Sequence, residues 1–214
     1  MFLQAAPSAA PPSRHDAPEA RPGKLPVRST DEQLWQAVKA GEEAAMNELF
    51  GRHYDALYHY GHRLVRDEDL TKDGIQEMFV DFWHGRDRLA EVRSVKPYLL
   101  ICLRRRLIKA SRARLRFSLK FPKEHPFEVT FSHEDFLIGE QHSLEQAQRL
   151  ARALNQLPKR QREALYLKFF DDLAYEEMEP LLGIRYQSIR NLVHQAISFL
   201  RKEVLLLCAV APWL

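Results

Sequence analysis

Cysteine is scarce in this chain of 214 residues: Cys102 and Cys208 lie far apart, inside apolar or basic stretches of helical period. A disulfide framework needs more cysteines at closer spacing, so a reducing compartment is expected. Only eight glycines are scattered along the chain, which excludes collagen-like designs and repeated phosphate-cradling loops. No apolar run reaches the length of a membrane span; Val204–Leu214, interrupted by Pro212, is about half of one. The first residues lack the basic start and apolar block of a secretory signal. Walker loop, dinucleotide fingerprint, glycine-flanked serine, HExxH and CxxC are all missing. The expectation is a soluble cytoplasmic protein without catalytic residues, metal or cofactor.

Charge is present in abundance but is sorted. From Asp31 to Glu91 there are 14 acids against 7 bases, whereas Arg93 to Lys123 holds 11 bases and no acid. A chain with a net charge of only +3 therefore carries an acidic block and a basic block. That asymmetry implies two different partners, one of them a polyanion.

Residues 1–30 contain six of the twelve prolines, and such a stretch buries too little apolar surface to offset its ordering entropy, so a disordered tail is expected. Helical period begins at Thr30, a suitable N-cap, with Leu34, Trp35 and Val38 on one face until Gly41. A second helix carries Ala45, Leu49, Phe50, Tyr54, Leu57, Tyr58, Gly61 and Leu64 at three-and-four spacing. A third, from about Asp69 to His84, places Ile75, Met78, Phe79, Phe82 and Trp83 inside and Asp73, Gln76, Glu77, Val80 and Asp81 outside. A fourth opens near Pro97 and continues to about Arg114.

The pattern then fails over 115–145, where prolines, scattered phenylalanines and six acids mark a linker. It returns with Leu150, Ala153, Leu154 and Leu157, then with Arg160–Phe170, whose apolar positions are Ala164, Leu165, Leu167 and Phe169. Tyr175–Leu182, a turn at Gly183-Ile184-Arg185, and a long helix from Tyr186 to about Leu206 follow. No alternating strand pattern occurs, so the fold class is all-α, two helical domains joined by an irregular linker.

The strongest local signal is the short helix, turn and longer helix of Leu173–Leu200, a helix-turn-helix outline. Ile189, Leu192, Val193, Ala196, Ile197 and Leu200 should face inward. The opposite stripe presents Arg185, Gln187, Ser188, Arg190, Asn191 and His194, residue types that hydrogen-bond base edges. The N-terminus of that helix also suits a phosphate. An ordinary helical hairpin with a solvated polar stripe has the same spacing. Pro180 is expected to remove one hydrogen bond from the first helix of the motif and bend it.

The basic helix after Pro97 has Tyr98, Leu99, Ile101, Cys102, Leu103, Leu107 and Ile108 as a packed side and carries Arg104, Arg105, Arg106, Lys109, Arg112 and Arg114, an electrostatic footprint for phosphates. A merely solvated helix and an anionic membrane surface are the other readings. His53, His59 and His62 share one helix without a third-ligand pattern, so isolated surface histidines are expected; a helical enzyme built on them is the distant rival.

These pieces resemble one known family. Asp69-Leu-Thr-Lys-Asp-Gly-Ile-Gln-Glu-Met-Phe-Val-Asp-Phe-Trp83 looks like the core-binding helix of sigma-70-type initiation factors, and Val95-Lys-Pro-Tyr-Leu-Leu100 before the arginine-rich helix resembles their promoter-melting, minus-ten-reading segment. Leu157-Pro-Lys-Arg-Gln-Arg-Glu163, Tyr175-Glu-Glu-Met178, Leu182-Gly-Ile184 and Ile189-Arg-Asn-Leu-Val-His-Gln-Ala196 resemble their minus-thirty-five-reading domain. Both blocks in order, with a short linker, are similar to the extracytoplasmic-function group; Arg105, where an Asn is expected, and Pro180 depart from the pattern.

The resemblance implies a sigma factor that binds core RNA polymerase and promoter DNA, with an anti-sigma factor as a further partner and a monomer when free. It divides the chain into a tail (1–30), a region 2-like domain (31–114), a linker (115–143) that threads the polymerase, a region 4-like domain (144–204) and an apolar tail (205–214) packed on that domain or covering it. Asp73, Gln76, Glu77 and Asp81 would meet polymerase. Lys96, Tyr98, Arg104, Arg105, Arg106, Lys109 and Arg112 would meet the downstream element, and Arg185, Gln187, Ser188, Arg190, Asn191 and His194 the upstream one. A stand-alone helix-turn-helix regulator, dimeric on a palindromic operator, is the alternative.

Overall fold

The computed structural model describes residues 29–117, 127 and 150–210, with only the backbone at 115–117 and 203–210. The expected N-terminal tail, most of the linker and the last four residues lie outside this set, as do the side chains of the apolar C-terminal segment. Among the described residues every regular element is helical.

Helix α1 (Asp31–Lys39) opens on a reciprocal cap: the Gln33 N–H donates to Thr30 Oγ1 at 3.3 Å and the Thr30 N–H to Gln33 Oε1 at 3.0 Å. It buries Leu34, Trp35 and Val38, and the Trp35 indole N–H donates to the Ala90 carbonyl at 3.0 Å. Helices α2 (Glu43–Val65), α3 (Glu68–His84) and α4 (Val95–Phe117) pack on one another and on α1. Gly61 and Gly74 allow this close approach. A Cβ on Gly61 would stand 2.8 Å from Thr71 Cγ2, and one on Gly74 would stand 2.8 Å from Leu107 Cδ2.

Pro97 lies in the first turn of α4, two residues inside its start, where backbone N–H groups have no helical acceptor and a proline costs little.

In the C-terminal half, α5 (helical from 150 to 156), α6 (Lys159–Phe169), α7 (Tyr175–Leu182) and α8 (Tyr186–Val210) follow. Ala153, Leu154, Leu157, Ala164, Leu165, Tyr166, Leu167, Met178, Leu181, Ile189, Val193 and Ala196 form their core. Two expectations need correction. Leu150 and Phe169 face solvent rather than the core. Helix α8 extends to Val210, past its expected end near Leu206. Pro180 lies inside α7, which continues to Leu182; the proline is exposed, on the side where water can satisfy the carbonyl that loses its donor.

The two halves share one continuous apolar cluster. Its junction is Phe127, which is wholly buried, with ring centroids 6.0 Å from Tyr60 and 5.5 Å from Tyr166.

Candidate nucleic-acid interface

The helix-turn-helix geometry follows from a few local choices. Gly183 adopts φ 68°, the left-handed region that ends α7, and its N–H donates to the Glu179 carbonyl at 2.9 Å. The Glu179 carboxylate then accepts the N–H of Tyr186, capping α8. This carboxylate occupies one of the amide donors at the N-terminus of α8.

Beyond the turn, Ile189, Val193 and Ala196 are buried and Leu192, Ile197 and Leu200 half-buried, which aims the other stripe outward. Arg185, Gln187, Ser188, Arg190, Asn191 and His194 are all exposed. Gln187 Nε2 donates to Asn191 Oδ1 at 3.2 Å, and the Arg190 guanidinium lies 5.9 Å from the Tyr186 ring centroid. The six residues form one continuous polar surface on the first two to three turns, the part of a recognition helix that meets base edges.

The basic helix is less uniform than its sequence. Arg104, Arg106 and Lys96 each point to a carboxylate. Arg106 donates to Glu77 at 2.7 Å and also pairs with Asp81. Arg104 pairs with Glu163 at 2.6 Å and Lys96 with Asp171 at 3.0 Å. Arg105, Lys109 and Arg112 are exposed, and among the described residues they make no ion pair. Their spacing of four and seven puts them on one stripe. The expected single phosphate-facing stripe therefore divides, with Arg105, Lys109 and Arg112 together and Lys96, Arg104, Arg106 and Arg114 each paired with a carboxylate, because consecutive arginines point 100° apart around a helix.

Tyr98 also differs from a free stacking platform. Its ring packs edge-on to Trp35 at 5.5 Å and stacks on Phe82 at 5.9 Å, and burial lifts its phenol above the ordinary value. Trp83 is half-buried, with the Arg86 guanidinium 5.0 Å from its ring centroid.

On the acidic side, Asp73, Gln76, Glu77 and Asp81 are exposed together around a shallow cleft of about 520 Å³ that includes Val80 and Arg106. An adjoining apolar cleft is lined by Met46, Phe50, Phe79, Val80 and Trp83. Met46, itself buried, and Phe50 were not legible as cleft residues from spacing, because they belong to a different helix. Val80, an apolar residue on the outer face and 45% exposed, was the available signal.

The histidines separate as well. His53 is buried, not a surface residue, with Nε2 2.8 Å from Asp31 Oδ2; burial lowers its pKa and the nearby Asp31 only partly opposes this. No group of three or more metal-ligating side chains occurs among the described residues.

Comparison with known proteins agrees with this arrangement. The sigma-70 region 2 family model matches residues 49–117 and the sigma-70 region 4 model residues 147–200. The extracytoplasmic-function sigma factor SigE of Mycolicibacterium smegmatis is 26% identical over 192 residues, 82% of this chain and 69% of that protein. SigM of Bacillus subtilis is 24% identical over 163 residues, 71% of this chain and 90% of that protein. Among solved structures, CnrH in complex with the cytosolic domain of CnrY shares the fold at TM-score 0.54 and 20% identity, covering 84% of this chain and 97% of that one. The sigma factor RpoE of Bartonella quintana, in complex with the anti-sigma factor NepR, does so at TM-score 0.51 and 21% identity, covering 74% of this chain and 95% of that one.

The chain belongs to the sigma-70 family, in its extracytoplasmic-function group. As a sigma factor it binds core RNA polymerase and promoter DNA and directs transcription initiation; the stand-alone regulator is not favoured. Family membership supports a non-catalytic role. Among the described residues, no helix is long and apolar enough to cross a membrane.

Proposed function

We propose that promoter recognition is divided between two surfaces. The polar stripe of α8, formed by Arg185, Gln187, Ser188, Arg190, Asn191 and His194, reads the minus-thirty-five element. The basic helix α4 carries the downstream DNA, with Arg105, Lys109 and Arg112 as its first phosphate contacts and Lys96, Arg104 and Arg106 joining once their carboxylates release them. The face of α3 that exposes Asp73, Gln76, Glu77 and Asp81 docks on polymerase, with the neighbouring apolar cleft taking an apolar side chain of the partner. Residues 31–114 and 144–204 are the corresponding domains.

The observation that carries this reading is that Arg185 in the turn and Gln187, Ser188, Arg190, Asn191 and His194 on α8 are all exposed over a buried Ile189, Val193 and Ala196. Arg, Asn, Gln and Ser are the residue types that hydrogen-bond base edges. Bond-making belongs to the polymerase, so the protein acts in the cytoplasm, and an anti-sigma factor restrains it there. Reconstituted transcription with purified core polymerase tests the assignment: Arg190→Ala and Asn191→Ala should lower initiation at a cognate promoter while leaving polymerase binding intact. Full activity in both variants would refute it.

A further inference from the structure

We propose that the cleft between α4 and α7 binds a small amphiphilic polyanion of the class of a nucleoside di- or triphosphate. The site is independent of the DNA assignment. One consequence of it, competition with promoter DNA, rests on the reading of α4 as a DNA-contacting helix.

The cleft brings together the two residues that depart from the family pattern. Arg105 on α4 and Pro180 on α7 both line a cavity of about 660 Å³. That volume lies within the range of small-molecule sites, about 300–1,000 Å³. A helix about 10 Å across that rises about 5.4 Å per turn would fit there for no more than about one and a half turns. A compact ligand suits the space better than a peptide helix.

Its lining has two characters. Ile101, Arg105, Ile108 and Arg112 follow at spacings of four, three and four, which puts them on one face of α4. A helix face turned to a neighbour is ordinarily an apolar stripe, yet here every second position is an arginine. Pro180 and Leu181 supply the wall from α7, Leu181 buried and Pro180 exposed.

The charge is unbalanced. Arg104 is paired with Glu163, Arg106 with Glu77 and Asp81, and Arg114 with Asp67. Arg105, Lys109 and Arg112 are exposed and make no ion pair among the described residues, and none of the described residues lining the cleft is acidic. Three cations spread over about 10 Å of helix axis call for more than one anionic group. A diphosphate or triphosphate chain supplies several, and guanidinium groups hold its oxygens in bidentate fashion.

The apolar residues select the rest of the ligand. Ile101, Ile108, Pro180 and Leu181 offer cover to a flat ring. Arg104 turns its guanidinium to Glu163 at 2.6 Å and gives the cleft its aliphatic stem. Arg105, Lys109, Arg112 and Ala113 are exposed, so the cleft opens to solvent along α4. A long acyl chain would leave much of its length in water there, whereas a ring is covered by the apolar residues alone. The three cations are also the first phosphate contacts proposed for α4, so a bound nucleotide competes with promoter DNA for them.

The test is isothermal titration calorimetry of the full-length free protein with ADP, GDP, CDP and UDP. At least one should bind about tenfold tighter than its own nucleoside and than pyrophosphate, because each fragment engages only part of the site. Arg105→Asn and Pro180→Glu should each weaken that nucleotide about tenfold, with helical circular dichroism preserved. Gly51→Glu, which adds a carboxylate at an exposed position on α2 with open space around it, should leave the affinity unchanged. Duplex DNA should displace a labelled form of the same nucleotide.

No binding by any of the four at about 1 mM overturns the site, and so does an affinity that neither variant lowers. Pyrophosphate as tight as the best nucleotide overturns the ligand class, since the apolar wall is then unused. Dodecyl phosphate tighter than every nucleotide overturns it too and assigns the cleft to an acyl anion. If Pro180→Glu loses helicity, Arg105→Asn decides on the same readout. A nucleotide that duplex DNA fails to displace overturns the competition and the DNA reading of α4, while the calorimetry judges the site separately.

Discussion

Arg106 on α4 reaches Glu77 on α3 at 2.7 Å, so the surface assigned to polymerase and the surface assigned to DNA meet in one ion pair. Both partners are partly solvated, and an exposed pair of this kind is worth about 0–1 kcal/mol. It is therefore a contact that a larger partner can take over. Asp73→Lys/Glu77→Lys should lower affinity for core polymerase while helical circular dichroism and melting change little. Pull-down or surface-plasmon measurement against core polymerase checks it, and unchanged affinity would remove the α3 face from the polymerase interface.

The two DNA surfaces should differ in kind. Truncating Arg190 is expected to cost about 1–3 kcal/mol on the best promoter and to blur preference at one upstream position. Removing Arg105, Lys109 or Arg112 should weaken binding across all sequences and reduce the salt slope by roughly one unit per lost contact. Holoenzyme binding at several salt concentrations separates the two. The reverse pattern would mean that the helices have been assigned the wrong way round.

Gly74 and Gly51 make a matched pair within the helical bundle. A Cβ at Gly74 would press on Leu107 at 2.8 Å, whereas one at Gly51 meets nothing within 4 Å. Gly74→Val should destabilise by about 1–3 kcal/mol through overpacking. Gly51→Ala should stabilise by roughly 0.5–1 kcal/mol through the helical preference for alanine. Thermal melts of the two variants, moving in opposite directions, are the expected result.

His53 supplies a pH dependence. Burial lowers its pKa below the ordinary 6.5 in the folded chain, with Asp31 opposing and Lys96 and Arg52 adding to the shift. The unfolded chain therefore binds this proton more readily, so unfolding takes up a proton and stability falls as pH drops below 6.5. Melting temperature should decline between pH 7 and pH 5.5, and His53→Leu should decline less over the same interval. Equal slopes for the two proteins would show that His53 does not carry the effect.

The helices were legible because their apolar positions recur at three and four, and the period alone separates α2, α3 and α7 from their neighbours. The recognition stripe of α8 was legible for the same reason: once Ile189, Val193 and Ala196 face inward, Arg190, Asn191 and His194 must face out. The six upstream residues and the four on α3 accordingly stand on the exposed faces where spacing put them. Phe169 was misplaced because it is the last residue of α6, where among the described residues its side chain stays exposed.

Periodicity determined which residues share a face of one helix, since that depends only on 3.6 residues per turn. It could not determine what stands opposite each face. The tertiary structure decided that Arg104 meets Glu163, 59 positions away, and that Lys96 meets Asp171, 75 positions away. It also decided that His53 is buried against Asp31 and that Glu179 caps α8. Charge placed along a chain is a local property, whereas the pairing of charge depends on how helices pack, because Coulomb attraction and desolvation act through space rather than along the sequence.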